Sequence, residues 1–338
     1  MDVLEQIYER ARACPRKVAF PEAADEKIMQ AAFACGSEGY IVPVLVGDEA
    51  ELRNLAQERG YDCNVFRFAD INDAELLERT ASEYLKQPDI VLKEKGLKRR
   101  MQDPMYFAMA LQRIGEVDVC FAGMEHSTGD VLIAGQMMIG LGPGVSVVSS
   151  IGLCDIPGFD GSEGRLLAVG DSAVCTDPTA EQLCDIAISS CETVSGLLGW
   201  EARCAMISYS TLGSGHGPLV DKVTEAVRLA NEKRPDLLID GEFQLDAAID
   251  PVIAAKKVRR ESAVAGRANV LIWPDLNVGN TAVKLIQRFG HADAYGPMLQ
   301  GFRSIICDCS RSAPVSELKG NIIISAVRAA AAKKEAAV

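Results

Sequence analysis

The sequence predicts an α/β protein of two domains, each built on a mostly parallel sheet. Short apolar runs rich in Val and Ile alternate with amphipathic helical patterns along nearly the whole chain, as in strands joined by crossover helices. The alternation breaks at Gly140 to Gly144, and the apolar run at 145–153 that follows is long enough to carry the chain into a second domain. A total of 338 residues leaves room for two ordinary domains, each with a real core. The expected division is 1–145 with 300–338 for the first domain and 146–299 for the second.

In order, Lys17 to Phe20 reads as the first strand, followed by Pro21-Glu22 and a helix through Ala32. Residues 40–46 form the next strand, ending at Gly47-Asp48, and 49–60 a helix. A helix with one charged face is expected over 72–96, running into the basic Leu97-Lys98-Arg99-Arg100, which reads as a solvated face. Asp103-Pro104 caps and opens a helix bearing Tyr106, Phe107 and Leu111. The strand at 117–121 then delivers Ala122 to Asp130, a strand-to-helix turn. Its Ser127 and Thr128 suit a phosphate or a carbonyl oxygen, and suit ordinary N-capping equally well. His126 alone reads as structural.

Beyond the break, the 158–164 loop reads as a hairpin connection and 166–169 as a strand. Thr179 and Gln182 have the spacing of a capping box. The strand at 205–208 ends in a loop rich in glycine and hydroxyl residues, where Ser210, Gly213, Ser214 and Gly215 permit close backbone approach to a phosphate or acyl group. No Gly-Lys-Ser/Thr follows it, so it is not a Walker loop. Residues 237–239 lead to Asp240, Glu242 and Asp246, whose carboxylates read as capping and packing groups rather than metal ligands. The charged run 256–261 reads as an exposed connection in which Lys256 and Lys257 meet the phosphates of a large anionic cofactor. A strand at 270–273 and a helix carrying Asn280, Lys284, Gln287 and Arg288 close this domain.

The last strand, 304–307, runs into Asp308-Cys309-Ser310-Arg311-Ser312, and Ala313-Pro314 opens a helix with an apolar stripe of Val315, Leu318, Ile322, Ile323 and Val327. A polar turn between a strand and a helix N-terminus gathers free backbone N–H groups and the positive end of the helix dipole. Arg311 and two hydroxyls there add charge-assisted donors for a phosphate or an oxyanion; a solvated surface turn capped by Ser312 fits the same residues. The alanine- and lysine-rich tail, 329–338, is expected to fray. The net charge of −12 argues against non-specific binding to nucleic acid or anionic membrane, so any anionic substrate must be held by local cations. Eleven scattered cysteines without a CxxC pair, and no export-type leader, point to reduced thiols in the cytoplasm. No run of apolar residues is long enough for a membrane span.

Several of these stretches resemble the phosphate acetyltransferase (phosphotransacetylase) family of the phosphate acetyl/butyryltransferase superfamily. The matching residues are Asp171 to Val174, Asp177 to Gln182, Ser208 to Ser214, Asp240 to Ala248, Gly279-Asn280, Gly296-Pro297 with Gln300-Gly301, Ser310-Arg311 and Glu317. The resemblance spans essentially the whole chain. It implies an isocitrate dehydrogenase-like architecture with an active cleft between the domains, and a cytoplasmic homodimer. The reaction it implies is acetyl transfer between coenzyme A and inorganic phosphate, with CoA a substrate rather than a resident cofactor and with no metal. In the implied roles Glu317 deprotonates or orients the thiol, Arg311 holds phosphate and Ser310 stabilises the oxyanion. Ser127, Thr128, Ser210, Gly213, Ser214 and Gly215 would surround phosphate and acyl group, and Lys256, Lys257, Asn280, Lys284 and Arg288 would bind CoA. The resemblance is to a divergent member: Glu317 stands where the family has Asp, Ile133 and Leu92 where it has Arg. Propanoyl or butanoyl transfer, and acyl-CoA sensing without catalysis, are alternative readings, and a decarboxylating dehydrogenase is a third.

Overall fold

The structure, a computed structural model, describes residues 3–335. It opens with α1 (Val3–Ala13), β1 (Arg16–Phe20), α2 (Glu26–Ser37), β2 (Ile41–Gly47), α3 (Glu49–Glu58) and β3 (Arg67–Asp70). Then come α4 (Ala74–Leu85), α5 (Glu94–Arg100), α6 (Pro104–Arg113), β4 (Val119–Ala122) and α7 (Thr128–Met138). Aspartates set four of these helix starts. Asp25, Asp48, Asp73 and Asp103 each accept from first-turn N–H groups, and Pro104 adds a fixed φ at the start of α6.

The chain continues through β5 (Ser149–Asp155), β6 (Leu166–Gly170), α8 (Ala180–Leu198), β7 (Arg203–Ile207), α9 (Pro218–Lys233) and β8 (Leu238–Phe243). It goes on with α10 (Leu245–Ile249), α11 (Pro251–Lys257), β9 (Val270–Ile272), α12 (Leu276–Phe289) and β10 (Asp293–Gln300), and closes with β11 (Ile305–Asp308) and α13 (Val315–Glu335). The segment from Gly144 to Gly301 is one compact unit; the residues up to Pro143, with those from Phe302 on, form the other.

Three local expectations are corrected. The single helix expected over 72–96 is two, α4 and α5, and α5 extends through the basic run, where Leu97 is fully buried while its basic neighbours are not. Strands β3 and β10 were absent from the pattern because each carries charged or glycine-proline residues that hide its period. The tail expected to fray, 329–338, is helical to Glu335, with Ala329 buried; 336–338 lie outside the described residues.

In the first unit the strand order is β11-β4-β1-β2-β3, every pair parallel. Val18, Ala19 and Phe20 of β1 and all of β4 are buried, with α13 packing on β1, β11 and α2, and α6 on β1, β2 and β4. Strands that bury both faces need near-continuous apolar runs, which is why these were visible in the sequence. The order reverses between β1 and β4, since β2 and β3 extend to one side and β4 and β11 to the other. At such a reversal the loops leaving the carboxyl ends diverge and open a crevice.

The other unit has the order β10-β5-β6-β9-β7-β8, with β6, β9, β7 and β8 parallel and β5 antiparallel to both of its neighbours, β10 and β6. Its signature residues are mostly structural. Asp171 is buried and accepts from the backbone of Ala173, Val174 and Cys175 and from the Ser150 hydroxyl. Gln300 donates to Ser149 and Ser190, tying β10 to β5 and α8. Thr179 and Gln182 form the expected capping box of α8. Gly279 lets α12 close on the Asp171 turn, for a Cβ there would lie 2.2 Å from the Asp171 carbonyl oxygen and 2.8 Å from Trp273.

Both of those neighbours are rigid, so Gly279→Ala should destabilise this unit by at least about 1–3 kcal/mol. The control Asn277→Ala, at an exposed position of the same helix, should stay within about 0.5 kcal/mol of the parent. Urea unfolding of the two variants checks the difference.

Candidate active site

The crevice between β1 and β4 is organised by a carboxylate. Glu22, in the turn after β1, is 2% exposed and accepts from the backbone N–H of Met124 (2.6 Å), the backbone N–H of His126 (3.0 Å) and the His126 ring at Nδ1 (2.8 Å). A buried charge is tolerated only when its lone pairs are filled, and these three bonds fill them. They fix the β4 turn against the β1 turn. Gly123 makes the close approach possible: its φ is +108°, and a Cβ would fall 2.3 Å from Asp308 Oδ1.

The turn after β11 meets the turn after β4. Arg311 Nη2 donates to the Glu125 carbonyl (3.2 Å), Cys309 N to the Ala122 carbonyl (2.9 Å) and the Thr128 hydroxyl to Asp308 Oδ2 (2.6 Å). The sequence-predicted Ser127, Thr128, Ser310 and Arg311 are thereby brought together at the carboxyl ends of adjacent strands. Arg311 is exposed and spends one of its five donors, leaving the rest for an anion. Ser310 Oγ accepts from Ser312 N and pairs with Ser312 Oγ at 3.0 Å. Glu317 stands exposed in the first turn of α13, where a carboxylate is favoured by the helix dipole.

The hydroxyls expected to donate to phosphate need correction. Ser127 forms a capping box with Asp130, and its Oγ–H is given to Asp130 Oδ2 at 2.6 Å. That bond holds the Asp130 carboxyl below its ordinary range. Thr128 gives its proton to Asp308. Asp308 is held above the usual carboxylate range by burial, against the Thr128 bond that pulls it down, with the charge of Glu22 also pushing it up. His126, read from sequence as structural, does serve the fold through Glu22, and its Nε2 lies 3.8 Å from Asp103 Oδ2.

The second unit carries the other predicted group. The loop after β7 is held by Glu242, 3% exposed, which accepts from the Ser210 hydroxyl (2.7 Å) and Gly213 N (2.8 Å). Ser210 is fully buried, and its Oγ also accepts from Gly215 N. Ser210 is therefore an internal strut, not the expected phosphate or acyl ligand, because both of its hydrogen-bonding functions are spent inside the loop. The Ser214 hydroxyl likewise accepts from Thr211 N.

Beside this loop lies a cavity of about 590 Å³ lined by Thr211, Gly213, Ser214, Gln244 and the cations Lys256, Lys257, Arg259 and Arg260. Lys257 is paired with Asp246 (2.7 Å) and Arg260 with Asp240. Lys256 and Arg259 have no ion-pair or hydrogen-bond partner among the described residues. The predicted Asn280, Lys284 and Arg288 recur every fourth residue along α12; Asn280 donates to the Ser172 carbonyl (3.2 Å), and all three are exposed. None of the three lines this cavity.

Sequence reasoning missed Glu22, Asp308, Glu242, Arg259 and Arg260 as organising groups. A usable signal existed for Glu22 and Asp308: one closely follows and the other ends an apolar strand, where an acidic residue is costly unless its oxygens find hydrogen-bond donors. Glu242, within the more polar β8, carried no such signal, and the partner of Asp308, 180 positions away, could not be read locally.

Comparison with known proteins fits this geometry. The model of the phosphate acetyl/butaryl transferase family matches residues 2–326. A phosphate acetyltransferase of Clostridium acetobutylicum is 40% identical over 97% of this chain and 99% of its own length. The enzyme of that name in Escherichia coli is 37% identical over 96% of this chain, which spans 44% of that longer protein. Among solved structures, a phosphotransacetylase from Streptococcus pyogenes superposes with a TM-score of 0.89 at 33% identity, covering 97% of this chain and 98% of that one. A 4-hydroxythreonine-4-phosphate dehydrogenase from Klebsiella pneumoniae, at 10% identity and a TM-score of 0.53 over 93% of this chain and 99% of that one, shares the fold alone. A full-length family match, relatives at this identity and strand-end turns suited to an oxyanion together show that the chain belongs to the phosphate acetyl/butaryl transferase family.

Proposed function

We propose that this protein is a phosphate acyltransferase that moves an acetyl group reversibly between coenzyme A and inorganic phosphate. The observation that carries the reading is the Ser310-Arg311-Ser312 turn joined to the β4 turn through Arg311 and Glu125, in a chain of this family. Acyl transfer to sulfur passes through a tetrahedral oxyanion, so donors must face the developing charge and a cation the phosphate. In this reading Arg311 holds phosphate, Ser310 donates to the oxyanion by releasing Ser312, and Glu317 orients the incoming thiol. Attack is direct. Cys307 and Cys309 are buried, with the Cys307 thiol pushed up to about 12 and that of Cys309 higher still by burial, so neither is a ready thiolate nucleophile.

CoA is a substrate here and no resident cofactor takes part. Its phosphates suit the cavity beside Lys256 and Arg259, whose charges are not neutralised by a neighbour. Lys284 and Arg288 on α12 offer further cations for it. A cytoplasmic setting is supported by eleven free thiols. A homodimer is supported by Val278, Leu285 and Phe289, which leave an apolar stripe exposed on α12. Propanoyl and butanoyl transfer use the same groups. Acyl-CoA sensing without turnover draws on Ile133, an exposed aliphatic on α7 that supplies no cation.

Phosphate-dependent release of CoA from acetyl-, propanoyl- and butanoyl-CoA tests the reading and orders the three substrates. Turnover on at least one is expected, with Arg311→Ala lowering kcat/KM by about a hundredfold to a thousandfold, the size of losing a cation that faces the charge on the transferring phosphate. A folded, CoA-binding protein without turnover would leave the sensing reading. Lys256→Ala and Arg259→Ala should each raise the KM for CoA by about three- to fivefold with kcat unchanged, an effect that shrinks as salt is added. Steady-state kinetics at two ionic strengths check it.

A further inference from the structure

A second cation touches the Ser310-Arg311-Ser312 turn, and it carries an inference that rests on the acyltransferase reading and deepens it. Lys27, in the first turn of α2, donates from Nζ to the Ala313 carbonyl at 3.4 Å, across 286 positions of sequence. Ala313 closes that turn: its own N–H donates to the Ser310 carbonyl at 2.9 Å, and its side chain is buried. The start of α2 and the turn after β11 are thus neighbours. The charge of Asp25, two residues before Lys27, also reaches Cys309 on the same turn, where with burial it helps to push the thiol up.

The Lys27 ammonium is under-satisfied where it stands. It carries three N–H donors and is half-buried, and its contact with Ala313 is to a neutral carbonyl near the outer limit of a hydrogen bond. Asp25 is turned to the backbone N–H groups of Lys27 and Ile28, and Glu22 to those of Met124 and His126. Among the described residues no carboxylate pairs with Lys27. A cation partly withdrawn from water without a counter-charge is costly, and an arriving anion offsets that cost. The substrate supplies the complement. Inorganic phosphate and acyl phosphate carry up to two negative charges, more than Arg311 alone can match, in a chain whose net charge of −12 opposes them.

We infer that Lys27 is a substrate-binding residue of this enzyme and holds the phosphate group jointly with Arg311. The two cations come to the turn from different directions: Arg311 lies on it and leans to Glu125 of the β4 turn, and Lys27 reaches it from the start of α2. A lysine is a compact point charge on a flexible stem, suited to a group whose charge is spread over several oxygens. The Ala313 bond keeps that stem aimed, and the two N–H groups left over meet the phosphate. No proton moves. Inorganic phosphate in one direction and acyl phosphate in the other present the same group, so the lysine serves both.

The test uses Lys27→Met, which removes the charge, Lys27→Gln, which removes it and keeps N–H donors for the Ala313 carbonyl, and Lys27→Arg, which keeps it. Steady-state kinetics with the acyl-CoA that the parent turns over best give the KM for inorganic phosphate, and thermal unfolding with and without phosphate reads its binding without turnover. Lys27→Met and Lys27→Gln should both raise the KM for phosphate about tenfold to a hundredfold, the range of one charge-assisted hydrogen bond, and lose most of the phosphate-dependent rise in Tm. The KM for the acyl-CoA should not change, and Lys27→Arg should stay close to the parent. A Lys27→Gln variant that behaves as the parent, or a loss confined to kcat, would make the lysine a strut of the turn and overturn the proposal while leaving the acyltransferase reading standing. A rise in the KM for the acyl-CoA alone would assign the lysine to CoA and overturn it as well. A parent that turns over no acyl-CoA removes the acyltransferase reading; the Tm shift then decides for Lys27, and a rise as large in Lys27→Met as in the parent overturns its role.

Discussion

The arrangement at the end of β4 depends on one buried carboxylate. Glu22 has left water with its charge, and that is tolerable only because two backbone N–H groups and an imidazole replace its hydration. Each charge-assisted bond of this kind is worth about 1.5–3 kcal/mol, and losing a partner leaves the charge uncompensated. The turn from Gly123 to Ser127 is therefore held in one shape, and everything seated on it inherits that shape. Arg311 reaches the Glu125 carbonyl, Thr128 reaches Asp308, and α7 starts where Ser127 caps it.

The second unit repeats the device independently. Glu242, next to last in β8, is buried and takes the Ser210 hydroxyl and the Gly213 amide, so that the loop after β7 is shaped from beneath. The consequence for chemistry is the same in both units. Hydroxyls that sequence reading assigned to substrate are partly consumed in holding the loops, and the groups left to face solvent are backbone, acceptor lone pairs and unpaired cations. This sorting separates Ser210 and Ser127, whose work is internal, from Arg311, Lys256 and Arg259, whose charges remain available.

Much of the fold was legible because parallel strands buried on both faces must be apolar throughout. Val18 to Phe20 and Val119 to Ala122 show this, and the aspartates before α2, α3 and α6 mark helix starts by a local bond to the backbone. The strands that escaped notice, β3 and β10, are those whose residues alternate less cleanly. The break between α4 and α5 was hidden because Leu85 to Lys93 has no glycine and its single proline, Pro88, is followed by the apolar Ile90, Val91 and Leu92, which prolong the mixed pattern. Several signature residues were visible by resemblance, yet their reasons were not. Asp171, Gln300 and Gly279 serve packing and backbone satisfaction, and only neighbours far along the chain reveal it.

By itself the sequence determined the α/β class, the succession of most strands and helices, and the turn at Ser310-Arg311, since these follow from local periodicity and from residues within a few positions of one another. Only the tertiary structure decided which hydroxyls are free to meet a ligand and which carboxylates are buried. Those outcomes depend on bonds such as Thr128 to Asp308 and His126 to Glu22, whose partners lie more than a hundred positions apart. A hydroxyl donates one proton, and nothing in its own stretch of chain says to whom.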